Sequence, residues 1–497
     1  MSYTGSMNRP VFPTSPGRLV AEQALSRAAG APLLPGNHIE LLINGKAHFD
    51  AWLQAIRGAQ HRVLLENYII RDDEVGRAFL DALVERANAG VFVAVIYDWI
   101  GCMGQSRSGF WAPLRAAGGE VRVFNPPQLG SPFGWVSRDH RKVLVVDGEL
   151  GFLSGVCISA KWLGDPAHDV SPWRDTGVAM RGPAVAEIEQ AFAQSWASIG
   201  QPLPHFPEQP AYAHGNVALR VIATQPATAG MYRLDQMIAA LARKTLWLTD
   251  AYFVGVAPYV QSLASAAQDG VDVRLLVPGS SDIPMVAGMS RSGYRPLLKA
   301  GIRVFEWNGS MLHAKTAVAD GQWARVGSSN LNIASWLSNR EIDVAVEDTG
   351  FASQLAEQYL RDLESATEIV LAPRRYHPSS ESVQSSRPPE RQGHPTFRRM
   401  GGSSSRAAAG ALRLANNMGA ALTDRRVLGD TQTTPLVVGA FALVVLAVIG
   451  ILWPAVIGWP LALIAGWLAL NLAISAWRTR KRHLQRQREL KESDQPH

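Results

Sequence analysis

Cysteine is nearly absent. The 497 residues include only Cys102 and Cys157, too few for a framework of disulfide bridges or a cysteine-based metal cluster. Reducing surroundings are therefore expected for the soluble part of the chain. The opening stretch MSYTGSMNRPVFPTSPGR has no apolar core, so no secretory signal is expected. Charge is sparse: 18% of residues are charged and 47% hydrophobic. Neither sign dominates, with 48 Lys plus Arg against 42 Asp plus Glu. The formal charge of +6 suits an anionic surface or substrate without singling one out.

Two runs lack charge altogether, PLVVGAFALVVLAVIGIL (435–452) and PLALIAGWLALNLAISAW (460–477). Each is near the ~20 residues that cross a bilayer. Pro454, Gly458 and Pro460 between them supply a turn, and Trp453 and Trp459 suit the interface. A buried helical hairpin of a soluble domain is the alternative. The length of the charge-free stretch favours a transmembrane helical hairpin over 433–480. Arg425 and Arg426 precede it, and Arg478, Arg480, Lys481 and Arg482 follow it. Positive flanks at both ends place the rest of the chain on the cytoplasmic side.

The length implies roughly two to four domains. Residues 1–36 are polar and rich in Pro and Gly, with a helix expected over RLVAEQALSRAAG. From 37 the pattern becomes α/β. AWLQAIRGAQ reads as a helix, RVLLENYII as a strand, VGRAFLDALVERANAG as a helix and VFVAVIYDW as a strand. MIAALARK, TLWLTDAYFV, APYVQSLASAAQDG and VDVRLLVPG repeat that order. FWAPLRAAGGEVRVFNP then matches YRPLLKAGIRVFEWN, and WRDTGVAM matches NREIDVAV. The expectation is two duplicated α/β lobes, 37–205 and 206–373, with mainly parallel sheets. Residues 374–432 are basic and rich in Pro, Ser and Gly, which predicts a flexible linker. Residues 481–497 form a charged tail.

One motif sits at the same place in both lobes. HRKVLVVDG carries His140, Lys142 and Asp147; HAKTAVADG carries His313, Lys315 and Asp320. In a strand, residues two apart share a face, so each histidine lies beside its lysine. An imidazole can attack phosphorus, and a second can protonate the leaving alkoxide and later deprotonate an incoming alcohol. Two ammonium groups stabilise the charge that develops. No metal or cofactor is required. Asp147 and Asp320 complete the candidate catalytic set. They stand at strand ends and are expected to brace the site by hydrogen bonds rather than touch substrate. Asp175 and Glu341, in the aligned pairs Arg174-Asp175 and Arg340-Glu341, are expected to orient the two histidines. A surface ion pair in each half is the competing reading. Small residues after each motif, Ser154 and Gly155 in one half and Ser328, Ser329 and Asn330 in the other, offer contacts to phosphate. Cys157 stands where the second half has Asn330.

These residues resemble the phospholipase D superfamily, whose mark is a duplicated HxKxxxxD followed by a GSxN-like stretch. The resemblance covers about 40–370 and is strongest to bacterial cardiolipin synthases, through LLENYIIRDD, RDHRKVLVVDGELGFLSG, WRDTGVAMRGPAV and VGSSNLNIASWLSNRE. It implies a phosphatidyl-histidine intermediate and transfer to an alcohol: two phosphatidylglycerol molecules give cardiolipin and glycerol. By analogy His140 is the nucleophile and His313 the general acid and base. The implied location is a bacterial inner membrane, crossed more than once. The implied partners are the bilayer and a phospholipid substrate, with no nucleic acid. Hydrolysis by water, transfer to another alcohol such as ethanolamine, cleavage of a nucleic acid and a non-catalytic lipid scaffold are the alternatives. The chain departs from the family at Ser154 and Cys157, at Gly177, where WRDTH usually ends in histidine, and in the C-terminal placing of its hairpin.

Overall fold

The computed structural model describes residues 16–371, apart from 106–108, 128–136, 169 and 208–211, together with Trp467. The hairpin expected over 433–480, the linker and the charged tail lie outside the described residues, Trp467 excepted. Among the described residues no helix is long and apolar enough to cross a membrane.

Among the described residues fifteen strands form one sheet. In the first half they are β1 (Leu34–Ile43), β2 (Arg62–Asn67), β3 (Phe92–Asp98), β4 (Glu120–Phe124), β5 (Lys142–Val146), β6 (Leu150–Ser154) and β7 (Thr176–Arg181). The second half has β8 (Val217–Thr224), β9 (Thr245–Thr249), β10 (Asp272–Pro278), β11 (Arg303–Trp307), β12 (Thr316–Ala319), β13 (Trp323–Gly327) and β14 (Glu341–Glu347), with β15 (Ala366–Ile369) at the edge. Outward from the β1–β8 junction the order is β1-β7-β6-β5-β2-β3-β4 on one side. On the other it is β8-β14-β13-β12-β9-β10-β11. The two halves repeat one topology.

The expectation of mainly parallel sheets is corrected. Only β2–β3, β3–β4, β9–β10 and β10–β11 pair in parallel among the described residues. The other pairings are antiparallel. The reason lies in the Asp-Gly turns after each motif. Asp147 and Gly148, and Asp320 and Gly321, take positive φ and fold β5 onto β6 and β12 onto β13 as hairpins. A tight hairpin reverses the chain and cannot give parallel neighbours.

Helices cover both faces, so β5 is apolar from Val143 to Val146 rather than alternating. Val143 and Val145 pack on one face with Phe192 of the helix Ala184–Ser198, and Leu144 and Val146 on the other with Trp52. Each such side chain contributes ~1.5–3 kcal/mol relative to exposure. One apolar cluster joins the halves, holding Val143 and Val178 together with Val326, Val344 and Phe351. Ala29 and Ala31, at and just beyond the end of the helix Pro16–Ala29, enter the core of the second half.

Asp147 and Asp320 clamp equivalent corners. Asp147 accepts from the backbone N–H groups of Gln60, His61 and Arg62 at 2.7–2.9 Å. Asp320 accepts from those of Arg243, Lys244 and Thr245 at 2.7–2.9 Å. Both sit at the end of their strand away from the histidine, where they clamp the fold. Asp147→Ala or Asp320→Ala is expected to cost about 2–4 kcal/mol, since three charge-assisted bonds are lost. Turnover per folded molecule is expected to stay near wild type. Denaturant unfolding beside active-fraction assays checks this; a stable but inactive Asp320→Ala would return that residue to the chemistry.

Candidate active site

Two short bridges between the halves build the site. Asp139 pairs with Arg340 and Arg174 with Leu312, both in parallel. His140 N–H donates to Arg340 O at 2.9 Å, and His313 N–H to Arg174 O at 2.7 Å. Each motif histidine therefore lies against the Arg-acid pair of the opposite half.

The carboxylates follow that crossing. Glu341 Oε2 lies 2.8 Å from His140 Nδ1, and Asp175 Oδ2 lies 2.8 Å from His313 Nδ1. In sequence each acid follows the histidine of its own half; in space it serves the other. Each acid, when ionised, only accepts, so Nδ1 then carries the proton and Nε2 keeps its lone pair. The alternative of a surface ion pair between Arg174 and Asp175 is also excluded. Arg174 instead makes a two-pronged bond to Asp362 at 2.8 Å, with both groups buried.

The lysines face the same way as their histidines. Lys142 Nζ donates to His140 O at 2.6 Å, and Lys315 Nζ donates to His313 O and lies 2.9 Å from His313 Nδ1. Both are fully buried. Between His140 and Lys142, Arg141 points away and donates to Ala191 O at 2.7 Å and Glu341 O at 3.1 Å, tying the halves together.

Burial first, then Lys142, Lys315 and His313, drive the His140 imidazole well below its usual range. Burial and Lys315 bring His313 down to about 4, against the opposing pull of Asp175. The four groups thus act on one another across the two halves. Lys315 falls to about 8 through burial, opposed chiefly by Asp175. The two acids differ. Burial would raise Asp175, but His313, Lys315 and the Trp162 indole N–H outweigh it and hold the carboxyl well below the usual range. Burial dominates at Glu341 and lifts it to about 7 despite Lys142 and Ser328.

The small residues take distinct places. Ser328 Oγ donates to Glu341 Oε2 at 2.6 Å. Its counterpart Gly155 has no room for a side chain, because a Cβ there would lie 2.2 Å from Asp175 Oδ1. Trp162 Nε1 supplies the missing donor to Asp175 at 2.8 Å. Ser154 Oγ accepts from Val156 N–H at 3.0 Å, and Ser329 Oγ donates to Asp343. Ser329 Oγ thereby spends its proton on Asp343, whereas Ser154 Oγ, as an acceptor, keeps its own. Asn330 is buried with its Oδ1 unpartnered among the described residues. Cys157, in the equivalent place, is buried, and burial raises its thiol above the usual range.

Several residues escaped the sequence reading. The Tyr68 ring lies 4.8 Å from that of His140, and Tyr252 lies 5.8 Å from His313. Each also stands over its lysine, at 5.1 Å for Lys142 and 5.9 Å for Lys315. An acid-x-Tyr repeat was the available signal: Glu66-Asn67-Tyr68 and Asp250-Ala251-Tyr252 end equivalent strands. Trp162 and Trp173 close on His313 alone, at 5.4 and 5.7 Å. Nothing local marked them. At Gly177, where the family resemblance calls for histidine, a Cβ would lie 2.3 Å from His48 Nε2. An imidazole from the helix Asn44–Gly58 occupies that space instead. A separate cavity of about 1000 Å³ lies over Gly148 and Phe206 and includes neither motif histidine.

A repeated seven-strand unit, with an imidazole–ammonium pair at the same edge of each copy, defines a phospholipase D-like α/β protein. A family model described as "Cardiolipin synthase, PLD-like domain" matches residues 52–196 and 235–363. Cardiolipin synthase A of Pseudomonas putida is 34% identical over 360 residues, covering 70% of this chain and 73% of its own length. That of Pseudomonas aeruginosa (strain LESB58) is 34% identical over 358 residues, covering 71% and 72%. The crystal structure of phosphatidylserine synthase from Haemophilus influenzae Rd KW20 shares the fold. Its TM-score is 0.53 at 14% identity, covering 70% of this chain and 91% of that one. The chain belongs to the cardiolipin synthase, PLD-like family, and is a phosphatidyltransferase of the phospholipase D superfamily.

Proposed function

We propose that this protein is a membrane-bound cardiolipin synthase that joins two phosphatidylglycerol molecules and releases glycerol. The observation that carries this reading is the crossed pairing of His140 with Glu341 and His313 with Asp175. It leaves two neutral imidazoles with open Nε2 atoms beside two buried ammonium groups. The relatives named cardiolipin synthase A support the choice of lipid. The charge-free runs at 435–452 and 460–477 support attachment to a bacterial inner membrane, with residues before them on the cytoplasmic side.

In the first step His140 Nε2 attacks phosphorus and the bond to the headgroup glycerol oxygen breaks. His313 donates a proton to that oxygen, releasing glycerol. In the second step His313 takes the proton from a glycerol hydroxyl of another phosphatidylglycerol. The freed oxygen attacks phosphorus, and the P–N bond breaks to restore His140. Lys142 and Lys315 hold the nonbridging oxygens and oppose the charge of the transition state. After burial, these same lysines depress the imidazoles. A phosphodiester anion offsets them, so substrate arrival raises His313 toward the protonated form its first role requires. Asp175 and Glu341 act as positioning residues.

Expression in a host lacking cardiolipin, followed by analysis of lipid products, tests this reading. Cardiolipin and free glycerol are expected. Phosphatidic acid alone would make the protein a hydrolase, and phosphatidylethanolamine from added ethanolamine would change the acceptor.

A further inference from the structure

We infer that the rim around this site is itself a bilayer-contacting surface, separate from the C-terminal apolar runs; the inference rests on the lipid-transfer reading above. The sheet topology puts the ends of β2, β3, β6, β9, β10 and β13 on the same edge as the starts of β5 and β12. His140 and His313 stand at those starts, so the loops leaving that edge surround them.

Those loops carry apolar side chains in water. Thirteen large hydrophobic residues are exposed among the described residues. Seven belong to the rim: Met103 after β3, Leu163 and Val170 after β6, Ile283 and Met289 after β10, and Ile333 and Leu337 after β13. The rim loops are a minority of the described chain, yet they hold more than half of its exposed large hydrophobics. Both halves contribute, and by equivalent loops. In the short helix Ile333–Leu337 the exposed pair is spaced i, i+4, on one face, while Trp336 is buried on the other. Folding has covered the tryptophan and left the aliphatic pair partly exposed, although water is a poor neighbour for it.

The chemistry of the substrate selects the occupant. The phosphorus of a two-chain lipid must reach His140 while its acyl chains stay out of water. A rim of aliphatic side chains sinks into the headgroup boundary and brings the site to the phosphate. Cations stand at the mouth: Lys161 is exposed 5.0 Å over the Trp173 ring, and Arg138 is exposed beside Tyr68. Both match anionic headgroups. Two acids of the rim are already engaged, Asp72 with Arg77 and Asp282 with the Tyr252 hydroxyl.

The test uses the full chain reconstituted in phosphatidylcholine vesicles containing a phospholipid with a diazirine in its acyl chain. Photolysis and peptide mapping are expected to place label in the peptides around Leu163–Val170 and Ile333–Leu337. Label confined to 435–477 overturns the inference, whatever else covers the rim. This readout does not depend on turnover, so a protein silent on phosphatidylglycerol would sink the proposed function and still leave the rim judged. A kinetic arm uses Leu163→Ser and the double variant Ile333→Ser/Leu337→Ser, with exposed Leu241→Ser, near the Asp320 corner at the far end of the strands, as control. Rim variants are expected to lose about tenfold or more of kcat/KM on long-chain phosphatidylglycerol in the bilayer. They are expected to match wild type on a short-chain phosphatidylglycerol held below its micelle concentration. Equal losses on both substrates, or none on either, count against the rim.

Discussion

Replacing either His140 or His313 by alanine is expected to lower kcat by about 10⁴-fold or more, the scale seen when a nucleophile or a shared acid and base is removed. The fold survives, because each imidazole side chain makes few bonds beyond its carboxylate. Thermal unfolding of the variants should therefore stay close to wild type. The two losses differ in kind. With phosphatidylglycerol labelled in its phosphate, rapid quenching should trap label on His140 in wild type and, more slowly formed, in His313→Ala. His140→Ala should trap none. Label on His313 in His140-intact protein would reverse the assignment, and full turnover by either variant would remove the pair from the mechanism.

The second large effect comes from the crossed carboxylates. Glu341→Gln and Asp175→Asn should each lower kcat by about 10²–10⁴-fold, since an amide no longer fixes the proton on Nδ1. The crossing dictates which imidazole responds. Side-chain ¹⁵N resonances of His140 should shift in Glu341→Gln and stay put in Asp175→Asn, with the reverse for His313. Wiring within each half predicts the opposite pattern. Glu341 also sets a pH limb. Its carboxyl is raised to about 7 by burial, so activity should climb as pH rises through that value and the carboxylate forms. In Glu341→Gln the limb should vanish.

Stability runs the other way for that group. A carboxyl raised from 4.5 to about 7 favours the fold below about 4.5, and its contribution is lost as pH rises through 7. Glu341→Gln at pH 8 should then be no less stable than wild type while being far less active. His313 has the opposite sign. An imidazole held down near 4 leaves the fold unpenalised above 6.5, and stability falls as pH drops from 6.5 toward 4. Unfolding midpoints across pH 4–8 separate the two contributions.

Much of the site is legible in the chain because its signal is local. The period-two spacing of a strand puts His140 beside Lys142 and His313 beside Lys315, and the Asp-Gly pairs announce the turns that follow. The repeated element order likewise needs no long-range knowledge. Strand direction is less legible, since a hairpin and a crossover look alike until the turn is taken as joining neighbours. Tyr68 and Tyr252 left a faint trace in acid-x-Tyr. Trp162, Trp173 and His48 left none, because each reaches its place through packing between elements distant in sequence.

The amino-acid sequence alone determined that two imidazole–ammonium pairs exist, each on one strand face, at equivalent places in a repeat. Only the tertiary structure decided which acid serves which histidine. That choice rests on two interstrand bridges, Asp139 with Arg340 and Arg174 with Leu312. Backbone hydrogen bonds between segments well over a hundred residues apart follow the shape of the folded sheet, and no spacing along the chain encodes them.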